Sequence, residues 1–314
     1  MKVASFNIQR FGENKVSDGK IVSTLVKIVS RYGIILILEV VDAKGTAMRK
    51  FLQELNKANK MHPYKMVMSS RLGRKSYKEQ FMFLYRADLV TLTDTYQYED
   101  NQKGDEDAFA REPYILRFTC LDTVLKDLVL IPVHTKPEDS EKELDELYDV
   151  FLTVKEKWKT DDIMILGDFN ADGAYVSKKK MKKIRIRSDT NFHWLIGDDV
   201  DTTANTGNDH TYDRIVVYGD DMLEAIVPNS AQPFDFPQAY GLTEDMALSI
   251  SDHYPVEVTL KSTETKKKRE SPPLNPKPVE KARAKKRRES PPLNPKPVER
   301  VTRGRGRPKS NAAV

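Results

Sequence analysis

Carboxylates, amides and imidazoles recur in this sequence at the ends of short apolar runs, where a chain leaves its core. Asn7 ends KVASFN, Glu39 closes IILIL, Glu79 opens EQFMFLYR and His134 ends DLVLIPVH. Asp168 and Asn170 stand in GDFN after DIMIL, Asp213 opens DRIVVYG, and Asp252 with His253 precedes PVEVTL. A carboxylate that follows five apolar residues is costly to bury unless a cation or a set of donors meets it. Oxygen donors such as Asn7, Glu39 and Asp252 suit a hard divalent ion, above all Mg²⁺. Of the five histidines (62, 134, 193, 210 and 253), any one is more often structural or exposed than catalytic. Asp252–His253 alone would read as a loop cap. Two histidines at strand ends, each with a carboxylate to orient it, fit general acid and general base better. Spacing alone thus points to a metal-assisted hydrolase.

The elements that must place these residues alternate. KVASFNI reads as a first strand, IVSTLVKIVSRY as a helix with apolar residues at 21, 22, 25, 26, 28 and 29, and GIILILEVV as a strand buried on both faces. AMRKFLQELNK is helix-like, and YKMVM, QFMFLYR, LVTLTDTYQY, YILRFTC and DLVLIPVH are strand-like. SEKELDELYDVFLTVKEKW is the clearest helix, with Ser140 as its expected N-cap. DIMILGDF, DRIVVYG and a half-buried strand at Val256, Val258 and Leu260 complete the set. Interleaved strands and helices, with strands in excess, imply an α/β sandwich whose sheets pack face to face with helices outside.

Charge divides the chain. Residues 261–314 hold 18 Lys and Arg against 5 Glu, and the whole chain is +5, so residues 1–260 carry −8. The single cysteine, Cys120, excludes an intramolecular disulfide. Neither an apolar leader nor an Asn-x-Ser/Thr sequon is visible, and the longest apolar run is too short to span a bilayer. The expectation is a monomer without membrane attachment, nuclear or cytoplasmic, with secretion as the alternative if a leader was removed. From Lys261 periodicity ends and RESPPLNPKPVE occurs twice, at 269–280 and 288–299. Such proline-rich repeats cannot bury a core, so the division expected is a folded domain at 1–260 and a disordered basic tail at 261–314.

The segments FNIQRFG, LEVVD, SYKEQFMFLYR, REP, GDFNADGAYV, YDRIVV, FDFPQAYGL and MALSISDHYPVEV, in this order, resemble deoxyribonuclease I and its DNase-I-like paralogues over residues 2–260. The resemblance implies a four-layer α-β-β-α sandwich. It also implies endonucleolytic cleavage of double-stranded DNA with Mg²⁺ or Mn²⁺, leaving 5′-phosphate and 3′-hydroxyl ends. Matched position by position, Glu39 is a metal ligand beside Asn7, with Asp252 near it. His134 is oriented by Glu79 and His253 by Asp213, while Asp168 and Asn170 lie about the scissile phosphate. Arg111 matches a phosphate-contacting arginine and Tyr77 a tyrosine that packs on a minor-groove sugar. Asp100, Asp107 and Glu112 match one structural Ca²⁺ site, and Asp201 with Thr203 match another. Which histidine is acid and which is base stays open. The family's usual disulfides are missing; Gly173 and the longer NTGNDHTYDR replace one of them. Met66–Met68 lacks the aromatic of the actin-contacting segment, so actin binding is not expected.

The tail adds KKKR at 266–269 and KARAKKRR at 281–288, clusters of the type a nuclear import receptor reads, and Arg305-Gly-Arg307-Pro, which resembles an AT-hook core. Ser271 and Ser290 each precede proline, as proline-directed phosphorylation sites do. DNA or chromatin is the partner these features suggest. The rival readings are a chromatin-binding protein on an inactive nuclease fold and an abasic-site endonuclease.

Overall fold

The computed structural model describes residues 1–101 and 107–263. In chain order the first half contains β1 (Lys2–Phe11), α1 (Glu13–Ser17), α2 (Gly19–Val29), β2 (Ile34–Val40), α3 (Thr46–Ala58), β3 (Tyr64–Met68), β4 (Gln80–Arg86) and β5 (Val90–Gln97). Then follow β6 (Tyr114–Cys120), β7 (Asp127–His134), α4 (Ser140–Trp158), β8 (Ile163–Asp168), α5 (Lys178–Met181), α6 (Arg185–Ser188) and β9 (Phe192–Trp194). The last elements are β10 (Asp213–Tyr218), α7 (Asp220–Glu224), β11 (Gln232–Pro233), α8 (Phe236–Tyr240), α9 (Glu244–Ile250) and β12 (Val256–Thr259). The strands form two sheets, ordered β11-β12-β1-β2-β4-β3 and β5-β6-β7-β8-β10-β9.

Each sheet has one parallel pair at its centre, β1–β2 in the first and β7–β8 in the second. A parallel pair needs a crossover, and the two amphipathic helices expected from the sequence supply it. Helix α2 is capped by Asp18, whose side chain accepts from the amides of Lys20 and Ile21, and it buries Ile21, Leu25 and Ile28. Helix α4 buries Leu144, Leu147, Val150 and Phe151. Because parallel strands end on the same edge, the carboxyl ends of all four central strands can meet there, as ligand sites in α/β sheets do. Glu39, His134 and Asp168 lie at those ends; Asn7, expected to end the first strand, lies within β1, where the register with β2 breaks before the strand runs on to Phe11.

The all-apolar character of IILIL has a simple cause. Leu36 and Leu38 face the core between the sheets, with Phe83, Phe118, Leu130, Leu166 and Val258. Ile35 and Ile37 face the outer layer, with Leu25, Phe51 and Phe236. A third core lies beneath α4, where Leu147 and Phe151 meet Ile131 and Ile165. Helix, sheet, sheet, helix is therefore the layering, which bears out the α-β-β-α sandwich.

Two local expectations change. Ser140 is not the N-cap of α4: a short 3₁₀ turn at Pro137–Asp139 leads in, the cap position falls on Asp139, and the Ser140 hydroxyl donates back to the carbonyls of Lys136 and Pro137. β12 is not half-buried either. Glu257 is 1 % exposed, held by Lys2, by Arg31 at 2.9 Å and by the Tyr32 hydroxyl at 2.8 Å. Burial alone would raise its pKa, but these donors outweigh it and hold the carboxylate below its ordinary range. Described contacts also pass Leu260: Ser262 bridges Thr123, and the Thr263 amide donates to Asp122 at 3.0 Å. No helix among the described residues is long and apolar enough to cross a membrane.

Candidate active site

Strand register brings the site together. In the second sheet Asp168 pairs with His134 on one side and with Asp213 on the other. From the first sheet, the Asn7 amide reaches across to Asp168 Oδ2 at 3.2 Å and to Glu39 Oε1 at 3.1 Å. Gly167 lets β7 and β8 pack closely beside Asp168: its φ is +147°, and a Cβ there would lie 1.9 Å from the Val133 carbonyl oxygen. Non-glycine residues with positive φ gather at the same edge. Arg10, Glu39 and Asn170 have φ of 54°, 58° and 45°, a backbone conformation that costs energy and concentrates at functional sites. At Glu39 the kink interrupts the β1–β2 register, and the carboxylate accepts from the Arg10 amide at 2.9 Å.

Two imidazole–carboxylate pairs face each other across this edge. His134 Nδ1 donates to Glu79 Oε2 at 2.8 Å, and His253 Nδ1 donates to Asp213 Oδ2 at 2.7 Å. With Nδ1 committed, each ring presents Nε2 to the centre, and both Nε2 atoms lie 3.8 Å from Asp168 Oδ2. Each also has a second carboxylate at 4.0 Å, Glu39 for His134 and Asp252 for His253. Burial opposes charge on the His253 ring, but Asp213 and then Asp168 and Asp252 outweigh it and raise its pKa to about 10. Burial raises Asp213 to about 6, with the His253 cation pulling the other way. Burial would also raise Glu79, but His134 and Arg111 prevail and hold it below the usual range.

The donor set fits a hard cation. Asn7 Oδ1 and Asp252 Oδ1 are buried without a hydrogen-bond partner, as oxygens meant for an ion would be. Asp168, Asp213 and His253 offer ligand atoms within 4.8 Å of one another. Asp213 and His253, however, are already bonded to each other, so the oxygens of Asn7, Glu39, Asp168 and Asp252 are the better set.

The other expected residues distribute as follows. Arg111 braces the first pair: Nη1 lies 3.3 Å from Glu79, Nε donates to the His134 carbonyl at 3.0 Å and Nη2 to the Thr135 carbonyl at 3.1 Å. Asn170 donates to the same Thr135 carbonyl at 3.1 Å. Tyr77 is 47 % exposed, open to a ligand. Asp100 accepts from the Phe109 amide at 2.8 Å, and Asp107 forms an ion pair with Arg74 at 3.2 Å, so an arginine already meets one carboxylate expected to hold Ca²⁺. Glu112 enters none of these contacts; its carbonyl accepts from Gln97. Asp201 accepts from the Thr203 amide and hydroxyl at 2.9 and 2.7 Å, and Thr203 bridges His253. That loop therefore positions the second histidine. Arg305, Arg307, Ser271 and Ser290 lie outside the described residues.

Some contributors were missed. Gln9 donates to Asp252 at 2.9 Å; it lies two residues after Asn7 on a strand and so on the same face, a signal the sequence did carry. The Ser251 hydroxyl links the last loop to β1 through the Asn7 carbonyl at 2.6 Å. Where relatives are expected to have a disulfide, the His210 ring covers Gly173: a Cβ on that glycine would lie 3.1 Å from His210 Cε1. His210 contacts Asp172 at 3.3 Å and stacks on Tyr212 with centroids 4.9 Å apart, and Tyr212 in turn lies 6.3 Å from the His253 ring.

A sandwich with this site defines a class. Residues 4–253 match the endonuclease/exonuclease/phosphatase family, and the chain belongs to it. Within that family the similarity is to the DNase-I-like nucleases. Deoxyribonuclease gamma of Homo sapiens is 45% identical over 264 residues, 84% of this chain and 87% of the relative. Deoxyribonuclease-1 of Bos taurus is 47% identical over 261 residues, 83% of this chain and 92% of the relative. Among solved structures, the human Nocturnin catalytic domain superposes with a TM-score of 0.56 at 14% identity, covering 84% of this chain and 94% of its own. That last likeness concerns the fold alone.

Proposed function

We propose that this protein is a divalent-metal-dependent endonuclease that hydrolyses phosphodiester bonds of double-stranded DNA to 5′-phosphate and 3′-hydroxyl ends. The observation that carries the reading is the placement of two carboxylate-oriented imidazoles, each with Nε2 3.8 Å from Asp168 Oδ2. The names of the similar deoxyribonucleases support DNA as substrate. Asn7, Glu39, Asp168 and Asp252 would hold Mg²⁺ or Mn²⁺, which offsets charge on the phosphate. One imidazole Nε2 takes a proton from water as its oxygen bonds to phosphorus. The other gives a proton to O3′ as the P–O3′ bond breaks. Arg111 and Asn170 flank the phosphate, and Tyr77 offers its exposed ring to the sugar. Ca²⁺ has a place at Asp100 only if Arg74 yields Asp107.

In the same reading, the basic tail draws an acidic body onto DNA or chromatin and presents import-type clusters, and the protein acts in the nucleus. Nicking of supercoiled plasmid with Mg²⁺ and Ca²⁺, beside His134→Ala and EDTA controls, tests the enzyme. Nicking that both controls abolish supports it; tight DNA binding without nicking leaves only the chromatin-binding rival. Equal cleavage of intact and abasic duplexes sets aside the abasic-site reading.

A further inference from the structure

The body of residues 1–260 is acidic, at −8, yet Lys178–Arg187, KKKMKKIRIR, places seven cations in ten residues. This run is part of the fold. Met181, Ile184 and Ile186 are buried, and the apolar anchors turn the intervening lysines outward. Four of the cations have acidic partners. Arg185 pairs with Asp145 and Asp149, Arg187 with Asp198 at 2.8 Å, Lys180 with Glu141 at 2.7 Å and Lys178 with Asp199 at 4.0 Å. Lys179, Lys182 and Lys183 are exposed and, among the described residues, form no ion pair. At spacings of three and four residues, like charges oppose local helix formation, so local helix stability does not explain them, although Lys183 also borders a cleft with Glu141, Asp145 and Glu146.

Their place on the molecule does. The run begins three residues after Tyr175, within about 10 Å of chain. The Tyr175 ring lies 5.7 Å from Tyr212, and Tyr212 lies 6.3 Å from His253. The run therefore starts from the aromatic patch that leads to His253. Lys178 and Lys182, with Arg187 and Asp172, also border an open cleft of about 480 Å³. A duplex carries one phosphate charge per roughly 1.7 Å of axis, so any duplex lying across the site carries phosphates past this patch.

We propose that Lys179, Lys182 and Lys183 form a second phosphate-contacting strip, which grips the backbone of duplex DNA beyond the scissile phosphate on the Tyr175 side. The strip rests on the nuclease reading and adds to it a body-borne contact independent of the tail. An import receptor or another acidic protein is the competing partner. DNA is favoured because the lysines are held in a folded turn whose chain leads directly from the aromatic patch beside His253.

The test uses the full chain and its Lys179→Gln/Lys182→Gln/Lys183→Gln variant, with the tail present in both. Steady-state cleavage of plasmid and of a duplex of about 8 base pairs, the latter chosen to end short of the strip, is followed from roughly 50 to 200 mM salt. Loss of three phosphate contacts makes the log–log salt slope of kcat/KM on plasmid shallower by about 2 to 3. The loss is expected in KM on plasmid and not on the short duplex, and the triple Lys→Arg variant restores it. An unchanged slope and KM on plasmid would overturn the proposal, as would loss of nuclear import with DNA kinetics intact. If the parent chain cleaves nothing, the nuclease reading fails first, and that result is separate from a parent that cleaves and a variant that matches it.

Discussion

The two histidine–carboxylate pairs have nearly the same bond, 2.8 Å for His134–Glu79 and 2.7 Å for His253–Asp213, but they are held differently. The first is braced by a cation. Arg111 bonds both the Glu79 carboxylate and the His134 carbonyl, and Glu143 fastens the segments on either side by accepting from the amides of Ala110 at 3.3 Å and Lys136 at 3.2 Å. The second pair is braced by neutral groups. The Thr202 hydroxyl accepts from the Tyr212 and Asp213 amides at 3.0 and 3.1 Å, Thr203 bridges His253, and Tyr212 and His210 stack beside it. Nearly equal hydrogen bonds thus sit in unequal surroundings, a cation beside the Glu79 carboxylate and hydroxyl and ring groups beside the Asp213 pair.

The largest effect expected is from His134→Ala and His253→Ala, each lowering kcat by about 10²–10⁴. The double variant should fall little further, because the two act as one unit. A single variant that keeps kcat within tenfold of the parent would mean that its imidazole transfers no proton in the reaction. Next, Arg111→Ala should lower kcat/KM by about 10²-fold, and Arg111→Lys should recover little, since lysine cannot span the carboxylate and two carbonyls together. Recovery by lysine would mean that charge alone matters there.

A third effect concerns stability. Burial raises the Glu143 pKa to about 7, against hydrogen bonds from the Lys136 and Ala110 amides and the charge of Arg111. The unfolded chain releases this proton near the ordinary glutamate value of about 4.3, while the folded protein keeps it to about 7. The native state thus binds more protons in that window, and stability falls as pH rises through it. Glu143→Gln should therefore gain thermal stability relative to the parent at pH 8 but not at pH 4, by on the order of 1–3 kcal/mol. A pH-independent difference in Tm would remove Glu143 from this account. The smallest effect lies on the other side. Gly173→Ala, at φ +60° and against the His210 ring, should cost about 1 kcal/mol and lower activity modestly by loosening the Tyr212 edge. No change in Tm would show that the ring gives way freely.

Much of this could be read from residue order. Strand and helix are local choices: short apolar, β-branched or aromatic runs placed β1, β2, β4, β7 and β8, and the 3.6-residue pattern placed α2, α3 and α4, within a few residues. The chemical residues were legible because each interrupts or ends an apolar run, as Glu39 does after Leu38. Short elements such as β9, β11, α5 and α6 were not legible, because three or four residues carry no period. The burial of Glu257 depends on partners far along the chain, Arg31 and Tyr32, and the cap of α4 on a 3₁₀ turn that no side-chain period announces. The sequence by itself thus determined the layers, the acidic body with its basic tail, and the types of group available for catalysis. Only the tertiary structure decided that the edges of two sheets put both Nε2 atoms 3.8 Å from one carboxylate oxygen, and that Arg111 joins one pair and not the other. Distances across sheets arise from register and packing between segments that no local pattern links.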